Sequence, residues 1–122
     1  MNEFIKALNE LIERSKDGAI ILVEGRKDVK ALRELGVEGK IIPISNIPKA
    51  NLIEKIDGDV IILTDWDRKG EILKRDLFSK LLSNGIVADT EIRKRIFSSV
   101  DVNEVEDLTK ALFRLQTRQH FL

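Results

Sequence analysis

The stretch Val60-Ile-Ile-Leu-Thr-Asp-Trp-Asp-Arg-Lys-Gly70 combines four apolar residues, two aspartates and a glycine that opens a helical pattern. The apolar run, residues 60–63, is typical of a strand buried on both faces of a parallel sheet. Because an unpaired charge is costly to bury, we expect Asp65 and Asp67 just beyond the C-terminal end of this strand. Open α/β sheets bind ligands at that edge, so both aspartates are candidate binding residues.

The spacing of these two aspartates predicts a metal site. Side chains at i and i+2 of an extended backbone point to the same side, so the charges of Asp65 and Asp67 should crowd each other. A hard cation with oxygen ligands, above all Mg²⁺, would relieve that repulsion. Mn²⁺ is the expected substitute for Mg²⁺ in solution experiments.

A second apolar run, Ala19-Ile-Ile-Leu-Val23, also ends in a carboxylate and a glycine, Glu24 and Gly25. A helical pattern follows it, as one follows the first run. The C-terminal ends of parallel strands lie at one edge of their sheet, so neighbouring strands would bring Glu24 beside Asp65 and Asp67. The sequence therefore predicts an acidic cluster of three carboxylates.

Composition excludes several classes of protein. The 122 residues contain no cysteine, so disulfides, thiolate zinc sites and cysteine nucleophiles are excluded. The 21 basic residues balance the 21 acidic ones, so bulk positive charge does not indicate nucleic-acid binding. No apolar run approaches the roughly 20 residues that span a bilayer, and the N-terminus lacks a secretory pattern. We expect a soluble, cytoplasmic protein without a membrane partner.

Local positive charge follows each acidic strand end. The basic residues that follow the two acidic strand ends are candidates for contacts to phosphate. They are Arg26, Lys27, Arg68 and Lys69. Solvated helix faces would give the same pattern.

The order of periodic segments predicts an α/β fold, a compact Rossmann-like parallel sheet of about four strands between helices. We expect one domain, residues 1–122, with a core of about 17–100. The predicted helices are 3–16, 28–35 with Asp28 as its cap, 50–56, 70–82, one after Asp89 with a Glu91–Arg95 pair, and about 103–118. The predicted strands are 19–23, 40–44 at an edge of the sheet, 60–63 and 86–88.

These motifs are similar to those of the Toprim domain, a metal-binding α/β module of topoisomerases, bacterial-type primases, nucleases and recombination mediators. The resemblance rests on Val23-Glu24-Gly25 with Asp28, on Thr64-Asp65-Trp66-Asp67, and on Gly70-Glu71. It covers roughly residues 17–100. The chain most resembles the small stand-alone Toprim proteins of archaea and bacteria and the nuclease that matures 5S ribosomal RNA.

The resemblance implies a role for each matching position. Glu24 matches the glutamate that acts as general acid or base in phosphoryl transfer, and it also borders the metal. Asp65 and Asp67 match the aspartates that hold Mg²⁺, and Gly25 and Gly70 match turn glycines that let the backbone approach the site.

Departures from the family pattern narrow the function. The chain has no tyrosine for a topoisomerase phosphotyrosine link and no cysteine for the zinc module of a full primase. Lys69 occupies the position of a further acid in topoisomerases, so the metal site loses one ligand. Topoisomerase and self-sufficient primase are therefore excluded.

Three hypotheses about function remain. The first is a Mg²⁺-dependent phosphodiesterase that acts on nucleic acid, with structured RNA favoured over DNA. The second is a non-catalytic module that holds a metal and docks nucleic acid or a protein partner of a processing complex. The third is an ordinary α/β domain whose acidic strand ends are only solvated; a receiver-like phosphate acceptor would need a second acid near Glu24.

Overall fold

The computed structural model describes residues 2–120, and side chains at all of these positions except 49 and 118–120. At its centre lies a parallel sheet of three strands, ordered β2-β1-β3. The strands are β1 (Ile20–Val23), β2 (Ile41–Pro43) and β3 (Val60–Ile62). The predicted parallel α/β architecture is confirmed, and β2 lies at an edge as Pro43 indicated.

The fourth predicted strand, 86–88, is not formed, and the chain pairs with β3 only through a single bridge between Ile61 and Asp89, just after it. Ile62 N donates to Asp89 O at 3.0 Å, and Asp89 N donates to Val60 O at 2.8 Å. The pairing ends there because Asp89 Oδ1 at once accepts hydrogen bonds from Glu91 N and Ile92 N, which turns the chain into a helix. The sheet is one strand smaller than expected.

Helices cover both faces of the sheet. They are α1 (Glu3–Lys16), α2 (Arg26–Glu34), α3 (Lys49–Leu52), α4 (Arg68–Leu82), α5 (Glu91–Phe97) and α6 (Leu108–His120), with 3₁₀ turns at Ile44–Asn46, Ile53–Lys55 and Val105–Asp107. Within residues 2–120, no helix is long and apolar enough to cross a membrane.

Two apolar clusters form the core. Along β1, Ile21 and Val23 pack towards α1, α5 and α6, whereas Ile20 and Leu22 pack towards α3 and α4. This alternation follows from the two-residue period of a strand. It explains why the strands are apolar at every position: both faces of the sheet are buried.

Three local predictions need correction. Helix α2 begins at Arg26, so Asp28 is its third residue, although its Oδ2 does accept from Gly25 N at 3.1 Å. Arg95 does not pair with Glu91 but donates to Glu3 and Glu10 of α1, because α5 packs against that helix. The last helix begins as the 3₁₀ turn at Val105–Asp107 rather than at residue 103.

Candidate functional site

Glu24 and Asp65 meet at the C-terminal edge of the sheet. Glu24 follows β1 directly, and Asp65 lies three residues beyond the end of β3. The last bond between the two chain segments joins Leu63 N to Leu22 O at 2.8 Å. Just beyond it, Glu24 Oε2 accepts a hydrogen bond from Asp65 N at 2.8 Å. The structure thus brings together two of the three predicted carboxylate positions.

Asp65 lies in acidic surroundings. Its side chain is half-buried, and Oδ1 accepts from Val105 N at 2.8 Å. Burial raises the pKa of Asp65 to about 7, against the lowering effect of that hydrogen bond. The charges of Glu24, Asp28 and Asp67 raise it further. The folded chain therefore holds negative charge here at a cost that a cation would offset.

Asp67 is oriented differently from the sequence expectation. Its exposed side chain caps α4, with Oδ1 accepting from Gly70 N at 2.7 Å. The expected same-side arrangement of Asp65 and Asp67 requires that the strand continue through both residues, but β3 ends at Ile62 and the chain bends at Trp66 and Asp67 before α4. Among the residues that the structure describes, no three His, Cys, Asp or Glu side chains form a group able to hold a metal ion.

The donor chemistry nevertheless fits Mg²⁺. Glu24, Asp65 and Asp67 each use one carboxylate oxygen for a backbone amide. Mg²⁺ commonly takes one or two protein carboxylates, and water and substrate phosphate complete its coordination. A partial set of hard oxygen donors in crowded negative charge matches that pattern better than a closed protein cage.

Gly70 and Gly25 differ in what they require. A Cβ on Gly70 would collide with the Asp65 peptide, lying only 2.8 Å from its carbonyl carbon. A Cβ on Gly25 would meet Ser45 Oγ at 3.8 Å, an ordinary contact. Close backbone approach is thus a steric requirement at Gly70, whereas a Cβ at Gly25 meets no such obstacle among the atoms that the structure describes.

The four candidate phosphate-binding residues begin the two helices that follow the acidic strand ends. Arg26 and Lys27 open α2, and Arg68 and Lys69 open α4. All four side chains are exposed. They border the same edge of the sheet as Glu24 and Asp65, where a phosphate-bearing ligand could reach them.

Sequence reasoning missed Arg93 as a site residue. Its side chain is 2% exposed, and the guanidinium donates to Thr64 O at 2.9 Å and to Asp65 O at 2.7 Å. A third bond reaches Glu71 Oε2 at 3.0 Å. Hydrogen bonds from Lys74 and Arg93 hold the pKa of Glu71 below its ordinary value. Arg93 thus fixes the backbone that carries Asp65.

Trp66 packs inward rather than standing free at the site. Its ring stacks on Phe97, with centroids 6.0 Å apart and planes at 16°, and the Arg93 guanidinium lies 4.8 Å from the ring centroid. This stack ties the loop that carries Asp65 to α5, the helix of Arg93 and Phe97.

The segment before α6 adds further acids that sequence reasoning did not assign to the site. Asn103 O accepts from Trp66 N at 2.7 Å, which ties this segment to the loop. Burial raises the pKa of Asp28, and the charges of Glu24 and Glu106 add to the effect. A hydrogen bond with Glu106, and its charge, raise the pKa of Glu104. Negative charge therefore extends beyond the three predicted carboxylates.

The raised pKa of Asp65 gives a testable pH dependence. Between about pH 4 and pH 7 the Asp65 carboxyl is protonated in the folded chain but ionised in the unfolded chain. The stability that comes from Asp65 is therefore fully present below about pH 4 and is lost as the pH rises through 7. We expect Asp65→Asn to match the wild type near pH 4. At pH 8 it should be more stable by about 1–2 kcal/mol, after allowance for solvent screening. Thermal unfolding at both pH values measures this.

The matched control is Asp101→Asn, because Asp101 is exposed and lies outside the site. Added Mg²⁺ should raise the wild-type melting temperature at pH 8 but not that of Asp65→Asn, since ligand binding to the folded state stabilises it. A variant less stable than the wild type at pH 8 would contradict the charge-crowding interpretation.

Comparison with known proteins agrees with the fold and the motifs. The Toprim domain model matches residues 19–99. A UPF0292 protein of Archaeoglobus fulgidus is 39% identical over 108 residues, 87% of this chain and 86% of that protein. A UPF0292 protein of Thermococcus onnurineus is 43% identical over 112 residues, 87% of this chain and 84% of that protein. A solved structure of an Aquifex aeolicus protein has a TM-score of 0.75 and 27% identity, covering 84% of this chain and 95% of that one.

The Toprim match supports a metal-dependent role connected with nucleic acids. It confirms the resemblance to small Toprim proteins, whereas the likeness to the 5S ribosomal RNA nuclease stays a prediction. The matched region contains both acidic strand ends and Gly70. By family model and by relatives, the chain belongs to the Toprim domain family, among its UPF0292 proteins.

Proposed function

We propose that this protein is a Mg²⁺-dependent phosphodiesterase that cleaves nucleic acid, with structured RNA as the favoured substrate. The observation that carries the proposal is the contact between Glu24 Oε2 and Asp65 N at 2.8 Å. It fixes a carboxylate with no role in the core next to an Asp65 side chain whose charge is disfavoured. Such a pairing at the ligand-binding edge of a parallel sheet is typical of active sites.

Each residue would have a distinct role. Asp65 and Asp67 would hold the cation, with Glu24 beside it. Once bound, a divalent cation neutralises charge on the phosphodiester and promotes ionisation of water. Glu24 would accept the proton of the attacking water, since its orientation is fixed by the Asp65 amide. The four exposed cations, Arg26, Lys27, Arg68 and Lys69, would bind flanking phosphates. With a nucleic-acid substrate, the protein would act in the cytoplasm.

Glu24→Gln tests the proposal. Glutamine retains an oxygen to accept from Asp65 N but cannot take a proton, so cleavage should fall by about 10²–10⁴-fold. The melting temperature should stay near that of the wild type. The measurement is cleavage of a panel of structured RNAs and matching DNAs with Mg²⁺ or Mn²⁺.

Glu34→Gln is the control, because Glu34 is an exposed glutamate near the C-terminal end of α2, away from the site. If Glu24→Gln cleaves as fast as Glu34→Gln, Glu24 is not the general base and the proposed mechanism is wrong.

A second candidate function is a non-catalytic metal-dependent module that docks nucleic acid or a protein partner of a processing complex. The orientation of Asp67 favours it, because its side chain caps α4 and fewer carboxylates then position a cation for catalysis, whereas a cation held by one or two carboxylates can still bridge to phosphate. The same panel separates the two functions. Retention of nucleic acid, or of a partner protein, without turnover under any metal would support the module.

A further inference from the structure

An apolar cleft of about 280 Å³ opens beside Glu24. It lies between α4 and the connection that follows β2, at the open end of the second core cluster. Its walls are aliphatic: Ile44, Ile47, Leu52, Leu73 and Leu77. Ile44, Ile47 and Leu73 are only partly buried, so they present apolar surface to the opening. A ligand that covered this surface would gain hydrophobic free energy.

Polar groups of both signs surround the cleft. Glu24 and Lys69 line it and also belong to the candidate site, so the cleft is continuous with that site. Asp76 and Lys80, one turn apart on α4, and the Ser45 hydroxyl complete the polar lining. None of the ion pairs that the structure describes within residues 2–120 involves Lys69, Asp76 or Lys80. Their donors and acceptors are therefore open to a ligand.

This combination selects among ligand classes. A fatty acyl chain would gain from the walls but would leave the carboxylates of Glu24 and Asp76 beside apolar surface. A planar heterocycle has two apolar faces for the aliphatic walls, and its edge carries both donors and acceptors for a rim of mixed charge. A phosphate attached to the heterocycle would also pair with the ammonium group of Lys69 at one end of the cleft.

We propose that the cleft receives the base of an unpaired nucleotide adjacent to the phosphate at Glu24, an inference that rests on the proposed function. The substrate is then a loop, bulge or end of a folded RNA, because a paired base cannot leave its stack without an energetic cost. None of the described residues that line the cleft is aromatic, so the base is held by aliphatic contact and by hydrogen bonds along its edge. The cleft would then be the part of this protein that recognises the substrate.

Methyl NMR of the intact chain tests this assignment. The probes are AMP, CMP, GMP and UMP, each compared with ribose 5-phosphate, without divalent metal so that binding does not depend on the candidate metal site. We expect at least one nucleotide to shift the methyl signals of Ile44, Ile47 and Leu73 through the ring current of its base. Ribose 5-phosphate, which lacks a base, should leave them unchanged.

A variant that fills the cleft provides the second arm. Ser45 is exposed, so Ser45→Phe should fold, and it should weaken nucleotide binding by about tenfold or more. Ser98→Phe, at the exposed end of α5, is the control and should bind normally.

The outcomes separate this inference from the proposed function. Nucleotide shifts elsewhere in the chain, or equal binding of ribose 5-phosphate, would overturn the base pocket even if RNA is cleaved. Base-dependent shifts in the cleft would support the pocket even if no metal or RNA yields cleavage, in which case the nuclease proposal fails alone.

Discussion

Gly70→Ala should lower the free energy of unfolding by about 2–3 kcal/mol, the upper part of the roughly 1–3 kcal/mol seen when a well-packed site is overfilled. The added methyl group has no free space, because its carbon would overlap the Asp65 peptide, 2.8 Å from the carbonyl carbon and 3.1 Å from the nitrogen. Backbone cannot rotate away as a side chain can. The loop would have to move as a unit, together with the bonds that hold it.

Those bonds explain why the effect should be large. Thr64 Oγ1 donates to Gly70 O at 2.8 Å, and Gly70 N donates to Asp67 Oδ1 at 2.7 Å. A shift of Asp65 strains both contacts and the bond from Arg93 to Asp65 O. Alanine has the better helix propensity by about 1 kcal/mol, so a net loss would show that the collision dominates. Urea unfolding followed by circular dichroism measures the change.

Gly25→Ala is the matched control. Gly25 occupies the corresponding turn after β1, but its φ of −150° suits any residue and its Cβ would contact only Ser45 Oγ, at 3.8 Å. We expect Gly25→Ala to change stability by less than about 0.5 kcal/mol. Equal stability of the two variants would show that the loop after β3 yields easily, contrary to its network of bonds.

The two glycines show what the sequence could and could not predict. The strand–acid–glycine pattern predicted both turns and the edge at which they lie, because strand burial and parallel topology depend on local apolar runs. It could not distinguish a glycine that is sterically required from one that is not. That difference arises from the separation between α4 and the Asp65 peptide, a tertiary distance.

The acidic residues show the same limit. Sequence reasoning placed Glu24, Asp65 and Asp67 at one edge, and the structure brings Glu24 and Asp65 into contact there, whereas the Asp67 side chain caps α4. The prediction of their orientation assumed that residues 65–67 continue the strand, but Asp67 is the N-cap of α4. The backbone of Asp67 is itself extended, with φ −144° and ψ 179°, as is usual for an N-cap residue, but its side chain is directed to the amides that begin α4. The two-residue period therefore ends with the strand at Ile62.

The spacing of Arg93 in the sequence indicated a buried position, but the basic run in which it lies indicated an exposed one. It lies in the run Arg93-Lys94-Arg95, which is typical of a solvated helix face. It is also four residues before Phe97 and three before Ile96, so it shares the apolar face of α5. Ile92, Ile96 and Phe97 are buried with it. Only the partners of the guanidinium, the carbonyls of Thr64 and Asp65, explain how a cation is accepted there.

Arg93→Ala should produce the largest loss of stability, about 3–5 kcal/mol, because it leaves two backbone carbonyls without their donor, at about 1–3 kcal/mol each, and removes a large buried side chain. The variant would leave the carbonyls of Thr64 and Asp65 without their donor and Glu71 without its buried counter-ion. Trp66 would lose the guanidinium 4.8 Å from its ring centroid. Because this loss is a large part of a typical domain's stability, Arg93→Lys is the companion variant that keeps the charge.

Lysine cannot replace the planar fork of arginine, which reaches two carbonyls and a carboxylate at once. We expect Arg93→Lys to fold with a loss of about 2–3 kcal/mol and an altered near-ultraviolet circular dichroism signal from Trp66. Glu71→Gln separates the contributions, because it weakens the ion pair but leaves both carbonyl bonds. Its cost should be smaller, about 1 kcal/mol, since Glu71 is partly exposed. If Glu71→Gln were as damaging as Arg93→Lys, the ion pair rather than the carbonyl bonds would hold the loop that carries Asp65.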